Sequence, residues 1–272
     1  MLHKLYFPKP PLSFFVENIW YYDGHYAGHP REKILPDGAI ELIIDLDNWP
    51  KKIFADETTT DRFRTVKKAW ISGERTRYLV IGTDNTQMIG IRFKPGGAYP
   101  FFGFPISELS EAVTELDLIW GRLIYGIRDE LLEIVSPDEK IIRFESFLLE
   151  QVQRSLEPNR AITFAIHNLQ QSRQFLAIRD LAAQIGISQK HLITQFERIV
   201  GLRPKSFARV VKFHRVLKMI EQTKQVEWAA IAYECGYYDQ AHFIKEFHTF
   251  SGVNPSKYLT QKGDYLGFIP LQ

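Results

Sequence analysis

The sequence predicts an α+β chain: an N-terminal antiparallel β-barrel or sandwich-like domain with helices, then an all-α C-terminal domain built as two helix-turn-helix units. Three observations predict it. Short β-favouring runs separated by turn residues fill the chain as far as about residue 115. The texture changes to helical spacing near Ser107. Residues 178–258 contain the same segment twice.

Phe14-Phe15-Val16 and Ile19-Trp20-Tyr21-Tyr22 are the first β-favouring runs, set off by the break at Pro8-Lys9-Pro10-Pro11. Pro36-Asp37-Gly38 is a turn signal before a strand from Ile40 to Leu46, and Asp47-Asn48-Trp49-Pro50 turns again. Further short strands are expected at Ala69-Trp70-Ile71, Tyr78-Leu79-Val80-Ile81 and Met88-Ile89-Gly90-Ile91-Arg92-Phe93. Lys94-Pro95-Gly96-Gly97 closes the series. Strands this short and this regularly interrupted point to an antiparallel barrel or sandwich.

Helical spacing is expected over residues 109–120 and 123–135. Ser136-Pro137-Asp138-Glu139 reads as a helix start, with proline at the first helical position and acids in the first turn. That helix should run to about Arg154 on an apolar set that includes Ile141, Phe144, Phe147 and Leu148; it is a candidate dimer surface or a cover for the barrel. Residues 156–160 mark the expected boundary, giving a β-rich sensor or dimerisation domain over 1–155 and a helical domain over 156–272.

In the repeat, Ile178, Leu181, Ala182, Ile185 and Gly186 recur at an offset of 50 as Trp228, Ile231, Ala232, Cys235 and Gly236. At an offset of 51, Leu192, Phe196, Gly201, Pro204 and Phe207 recur as Phe243, Phe247, Gly252, Pro255 and Tyr258. Two copies are too few for a solenoid, so this is a tandem pair of similar units. Each reads as a short helix, a glycine-containing turn and a second helix, at about 178–200 and 228–250. Ser188 and Asp239 are the N-caps of the second helices. That is the helix-turn-helix pattern, whose second helix lies in a DNA major groove. A helix from Pro204 to Gln222 joins the units.

Charge agrees. The formal net charge is +2, yet residues 173–262 hold 14 Lys and Arg against 7 Asp and Glu, leaving 20 against 25 elsewhere. A basic C-terminal part suggests a polyanion partner. No apolar run approaches a membrane span, the first residues do not read as a signal peptide, and a cytoplasmic location is expected. Cys235 is the only cysteine, which rules out an intrachain disulfide or a Cys-cluster metal site and reads as a buried structural thiol. His25 and His29 sit four apart in a loop without a further ligand pattern. Lys94-Pro95-Gly96-Gly97 lacks phosphate-loop spacing, and no nucleophile elbow, HExxH or dinucleotide fingerprint is present. Neither enzymatic activity, metal nor cofactor is expected.

Several segments resemble the DNA-binding domain of AraC/XylS-type transcription regulators. They are Ile178-Arg179-Asp180-Leu181-Ala182, Ser188-Gln189-Lys190-His191-Leu192 with Phe196, and Gly201-Leu202-Arg203-Pro204. Cys235-Gly236-Tyr237 and Gly252-Val253-Asn254-Pro255-Ser256-Lys257-Tyr258 continue the likeness. It implies sequence-specific binding to double-stranded promoter DNA by one polypeptide. By position it assigns Lys190, Ile193 and Thr194 in the first unit, and Gln240, Ala241 and Lys245 in the second, to the bases; Gln189, a polar residue at the start of the first unit's second helix, is a further base candidate. Thr194 stands where the family often has arginine. His191, Arg203, Lys205, Arg209, Lys212 and His242 are phosphate candidates, with a plain solvent-facing role the alternative for Arg203, Lys205, Arg209 and Lys212.

Leu35-Pro36-Asp37-Gly38 and Phe93-Lys94-Pro95-Gly96-Gly97-Ala98 resemble the β-rich N-terminal domain of one branch of these regulators, which implies small-molecule sensing, dimerisation or both. Trp20, Tyr22, Trp70, Arg75 and Arg92 are the candidate pocket residues, weighed against plain core packing. RNA polymerase, a small-molecule effector and a homodimer through the N-terminal domain are further candidate partners; a membrane is not. The alternative is a ligand-binding or enzymatic barrel with an architectural, non-specific nucleic-acid-binding C-terminal half.

Overall fold

The structure is a computed structural model, and it describes residues 2–24, 28–83, 87–172, 176–223, 226–263 and 265–272. His25, one of the two histidines weighed above, lies outside them.

The N-terminal strands are β1 (Leu2–Tyr6), β2 (Val16–Asp23), β3 (Arg31–Ile34), β4 (Ile40–Asp45), β5 (Lys51–Phe54), β6 (Phe63–Val66), β7 (Ala69–Ser72), β8 (Leu79–Gly82), β9 (Gln87–Phe93) and β10 (Val113–Glu115). Three helices follow: α1 (Asp117–Trp120), α2 (Leu123–Glu133) and α3 (Pro137–Glu150). A six-stranded antiparallel sheet runs β1-β2-β9-β4-β7-β10. The C-terminal helices are α4 (Arg160–Gln171), α5 (Ile178–Ile185), α6 (Gln189–Val200), α7 (Pro204–Gln222), α8 (Trp228–Glu234), α9 (Gln240–Ser251) and α10 (Pro255–Gln261). The chain then returns as β11 (Phe268–Leu271), which completes a second sheet in the order β11-β3-β8-β5-β6.

Period-2 alternation sends side chains of the six-stranded sheet to two different environments. Ile19, Tyr21, Leu42, Ile44, Ile71, Ile89 and Ile91 face a core closed by α2 and α3 through Ile127, Leu131, Phe144 and Leu148. The alternate positions Trp20, Ile43, Trp70 and Met88 face the five-stranded sheet. Ser136 caps α3 by accepting the Glu139 N–H, as its sequence signal required. This helix covers the sheet, while Ile142 and Leu149 on its far side stay exposed.

Two expectations change. Residues 109–120 do not form one helix: a 3-10 turn at Ile106–Leu109 gives way to β10, an edge strand paired with β7, before the single turn of α1. Tertiary pairing overrides the helical spacing there. Phe14 ends a 3-10 turn, so the strand expected to open at Phe14 begins at Val16.

The duplicated segment folds as read. Gly186 turns α5 into α6 at φ 80°, and Ser188 Oγ accepts the His191 N–H at 3.1 Å. In the second unit, Asp239 Oδ1 accepts the His242 N–H at 2.7 Å. Cys235 is buried, with its Sγ 3.3 Å from Met219 Sδ. No helix among the described residues is long and apolar enough to cross a membrane.

Candidate DNA-reading surface and internal cavity

Burial of one face of α6 fixes what the other presents. Leu192, Phe196, Ile199 and Val200 enter the core, which leaves Gln189, Lys190, His191 and Thr194 exposed at the N-terminal end. Ile193 is half-buried against the same core. In α9 the buried set is Phe243, Phe247 and Phe250, and Gln240, Ala241, His242 and Lys245 are exposed. The His242 ring also meets the edge of Tyr237, at 5.7 Å between centroids. Both second helices therefore project a short polar N-terminal face, the part of a recognition helix that reaches base edges.

The phosphate candidates divide. Arg203 is exposed, 3.4 Å from Glu197, and Lys205, two residues on, is also exposed. Arg209 instead makes two hydrogen bonds to Glu246 of α9, at 2.7 and 2.8 Å, and stacks over Phe250; Glu246 raises its pKa. Lys212 donates to the Gly236 carbonyl at 2.7 Å and lies over Tyr237, and burial lowers its pKa. These two cations tie α7 to the second unit. The spacing of basic residues along α7 holds no sign of that, because the partners lie 37 and 24 residues away.

The five N-terminal candidates Trp20, Tyr22, Trp70, Arg75 and Arg92 all line one cavity of about 540 Å³ between the two sheets. Sequence reading did not foresee its other walls. His214 and Leu217 come from α7, and residues 265–268 come from the segment that leads into β11. The helical C-terminal half thus closes the N-terminal cavity. Arg92 is held by Glu17 at 3.0 Å, by Glu41 at 2.9 Å and by Asp37, and these carboxylates raise its pKa against the opposing effect of burial. Burial pushes the Glu41 carboxyl up and the His214 imidazole down. Among the described residues no cluster of three metal-ligating side chains occurs.

Residues 181–261 match the family model described as a helix-turn-helix domain, and residues 4–115 match a domain of unknown function (DUF6597). An uncharacterized HTH-type transcriptional regulator of Haemophilus influenzae is 32% identical over 112 residues, covering 41% of this chain and 37% of that protein. The uncharacterized HTH-type transcriptional regulator YbfI of Bacillus subtilis is 24% identical over 151 residues, covering 54% of this chain and 53% of its own length. The chain thus spans about half or less of the curated relatives it matches. Among solved structures, ToxT from Vibrio cholerae aligns with 89% of this chain and 97% of its own at 12% identity and a TM-score of 0.46. An AraC-type DNA-binding regulator from Chromobacterium violaceum covers 38% of this chain and 93% of its own, at 20% identity and a TM-score of 0.35. Residues 181–261 of the chain are thus a helix-turn-helix domain.

Proposed function

We propose that the chain is a sequence-specific transcription regulator whose two second helices, α6 and α9, read successive major grooves of promoter DNA. The observation that carries this is the pair of capped helices with exposed polar N-terminal faces, joined by one continuous helix. At 1.5 Å per residue α7 is roughly 28 Å long, comparable to the ~34 Å between successive grooves on one DNA face. Gln189, Lys190, Ile193 and Thr194 read bases in one groove, and Gln240, Ala241 and Lys245 in the next. His191, Arg203, Lys205 and His242 hold phosphate. Because one polypeptide carries both readers, the site need not be palindromic.

The β-rich half is the controlling part, with a small-molecule effector in its cavity. The exposed Ile142 and Leu149 of α3 are the apolar surface for a homodimer through that half, and RNA polymerase is the partner at the promoter. The protein acts in the cytoplasm and catalyses no reaction. The test is to map bound genomic fragments and then challenge the best fragment with excess random duplex. Retention on that fragment is expected. Equal loss to random DNA would instead mean architectural, non-specific binding.

A further inference from the structure

The inference rests on the β-rich half being the controlling part of the regulator, and it concerns the class of molecule its cavity takes. The floor of the cavity is one face of the six-stranded sheet, and strand register sorts that face into rows. Asn18, Arg92, Glu41 and Ser72 stand opposite one another on four adjacent strands. The next row is Trp20, Gly90, Ile43 and Trp70, and beyond it come Tyr22 and Met88. A Cβ on Gly90 would come within 2.2 Å of the Trp20 ring, so the missing side chain is what lets the indole lie against the strand. One end of this floor is therefore polar and the other aromatic and apolar. Its volume falls within the ~300–1,000 Å³ of small-molecule sites.

The charges that line the cavity are unequally matched. At the polar end Arg92 has three carboxylates, and near the Met88 row Lys51 lies 3.6 and 3.8 Å from Asp47 and Asp45. Arg75 is 8% exposed and donates to Ser72 Oγ at 2.6 Å and to the Gly73 carbonyl at 3.4 Å, with no ion pair to any described residue. Burial lowers the pKa of this cation, and Glu111, Asp37 and Glu41 oppose that only from beyond ion-pair distance, so an anion that reached it would be favourable. The planar guanidinium fork matches a carboxylate through two parallel hydrogen bonds. A cationic ligand would need free acids. Asp37 and Glu41 are already engaged by Arg92, and Glu32 by His29 at 3.3 Å.

The geometry points to an aromatic carboxylate as the ligand: its carboxylate pairs with Arg75 at the polar end, and its rings pack against Trp20 and Trp70. The experiment is calorimetric titration of the full chain with three probes of one shape: biphenyl-4-acetate, its primary amide and 2-(biphenyl-4-yl)ethylamine. The carboxylate should bind about 10- to 100-fold tighter than the amide, the value of a charge-assisted bidentate contact, and the amine weakest. Arg75→Gln should bring the carboxylate to the amide's affinity while leaving the amide unchanged, and Arg75→Lys should restore part of the preference. If thermal unfolding shows that Arg75→Gln does not fold, the ranking of probes on the unaltered chain decides. Tightest binding of amine or amide, a preference that survives Arg75→Gln, or no binding of any probe would overturn the assignment. Promoter retention is measured on the same preparation. A chain that holds its promoter yet shows no carboxylate preference loses only this inference, whereas loss of promoter retention counts against the regulator reading itself.

Discussion

Lys33 and Ser251 join the two halves of the chain: the Nζ of Lys33, fully buried on β3, donates to the Ser251 carbonyl at the end of α9 at 3.2 Å. The same ammonium pairs with Glu57 and lies 4.4 Å from the centre of the Tyr78 ring. The next residue, Gly252, ends α9 at φ 72°, a conformation that costs any residue with a Cβ. A Cβ there would also sit 2.5 Å from Tyr78 Cε1. Helix α9, the second reader in the proposed function, is thus anchored on the sheet that walls the cavity.

Lys33→Met should therefore leave the Ser251 carbonyl and the Glu57 carboxylate without their shared donor. Losing a buried charged hydrogen bond of this kind costs about 2–4 kcal/mol. The expected result is a lower urea midpoint together with faster amide exchange in the last turn of α9. Unchanged exchange in α9 would show that the anchor is not Lys33.

The cations of α7 and its neighbours give a second, opposed pair of expectations. Lys245→Ala should weaken specific binding by ~1–3 kcal/mol and relax preference at one base. Neutralising Arg203 or Lys205 should reduce the slope of log affinity against log salt by about 0.9 for each phosphate lost. Lys212→Ala should leave that slope alone and lower stability by about 1 kcal/mol, because the ammonium is spent on the Gly236 carbonyl. Gel-shift titrations over a salt series separate the two behaviours; a Lys212→Ala slope as reduced as that of Lys205→Ala would place Lys212 on the DNA.

Asp45 sets a pH dependence. Burial raises its carboxyl from the ordinary 3.8 to about 6, against the lowering effect of Lys51. A raised folded-state pKa means that the folded protein binds the proton more tightly than the unfolded chain. Stability from this group is then complete below 3.8 and is lost as pH rises through about 6. Asp45→Asn removes the penalty of the buried charge, so its melting temperature relative to the unaltered chain should improve between about pH 4 and pH 7.5. His214 works in the other direction, since burial lowers its pKa and its contribution is lost as pH falls. Taking the difference between variant and parent cancels that background. A pH-independent difference would sink the assignment to Asp45.

What the sequence made legible follows the range of the interactions involved. The caps at Ser136, Ser188 and Asp239 are local, each bonding three residues ahead, and each could be read from residue type alone. The β-favouring runs over β4 and β9 marked strands but not which face of each met helices and which met a cavity. Val113 to Glu115 had helical spacing and became a strand because β7 offered an edge. Arg209 and Lys212 looked like phosphate contacts because their partners, Glu246 and Gly236, are distant in sequence. The pocket candidates Trp20, Tyr22, Trp70, Arg75 and Arg92 converge, yet nothing local in α7 announced that His214 and Leu217 would close the same space.

The strand β11 carries the last prediction. It follows the helix-turn-helix units and pairs antiparallel with β3, in register from Phe268 opposite Ile34 to Leu271 opposite Arg31. Ile269 is fully buried within the C-terminal core, and the Leu35 N–H reaches the Gly267 carbonyl at 2.8 Å. Deleting residues 264–272 would turn β3 into an unpaired edge, expose the surface that Ile269 covers and open the cavity wall formed by residues 265–268. Burial of one isoleucine alone contributes ~1.5–3 kcal/mol, so the shortened chain should melt measurably lower. Amide exchange should rise along β3 and also at the end of α9, because Lys33, the anchor for Ser251, stands on the strand that has lost its neighbour. Faster exchange confined to β3 would show that the tail stabilises the sheet without bearing on the reading helix. Faster exchange in both places, with the promoter affinity of the shortened chain altered as well, is the result expected if the C-terminal strand is the mechanical link between cavity and DNA.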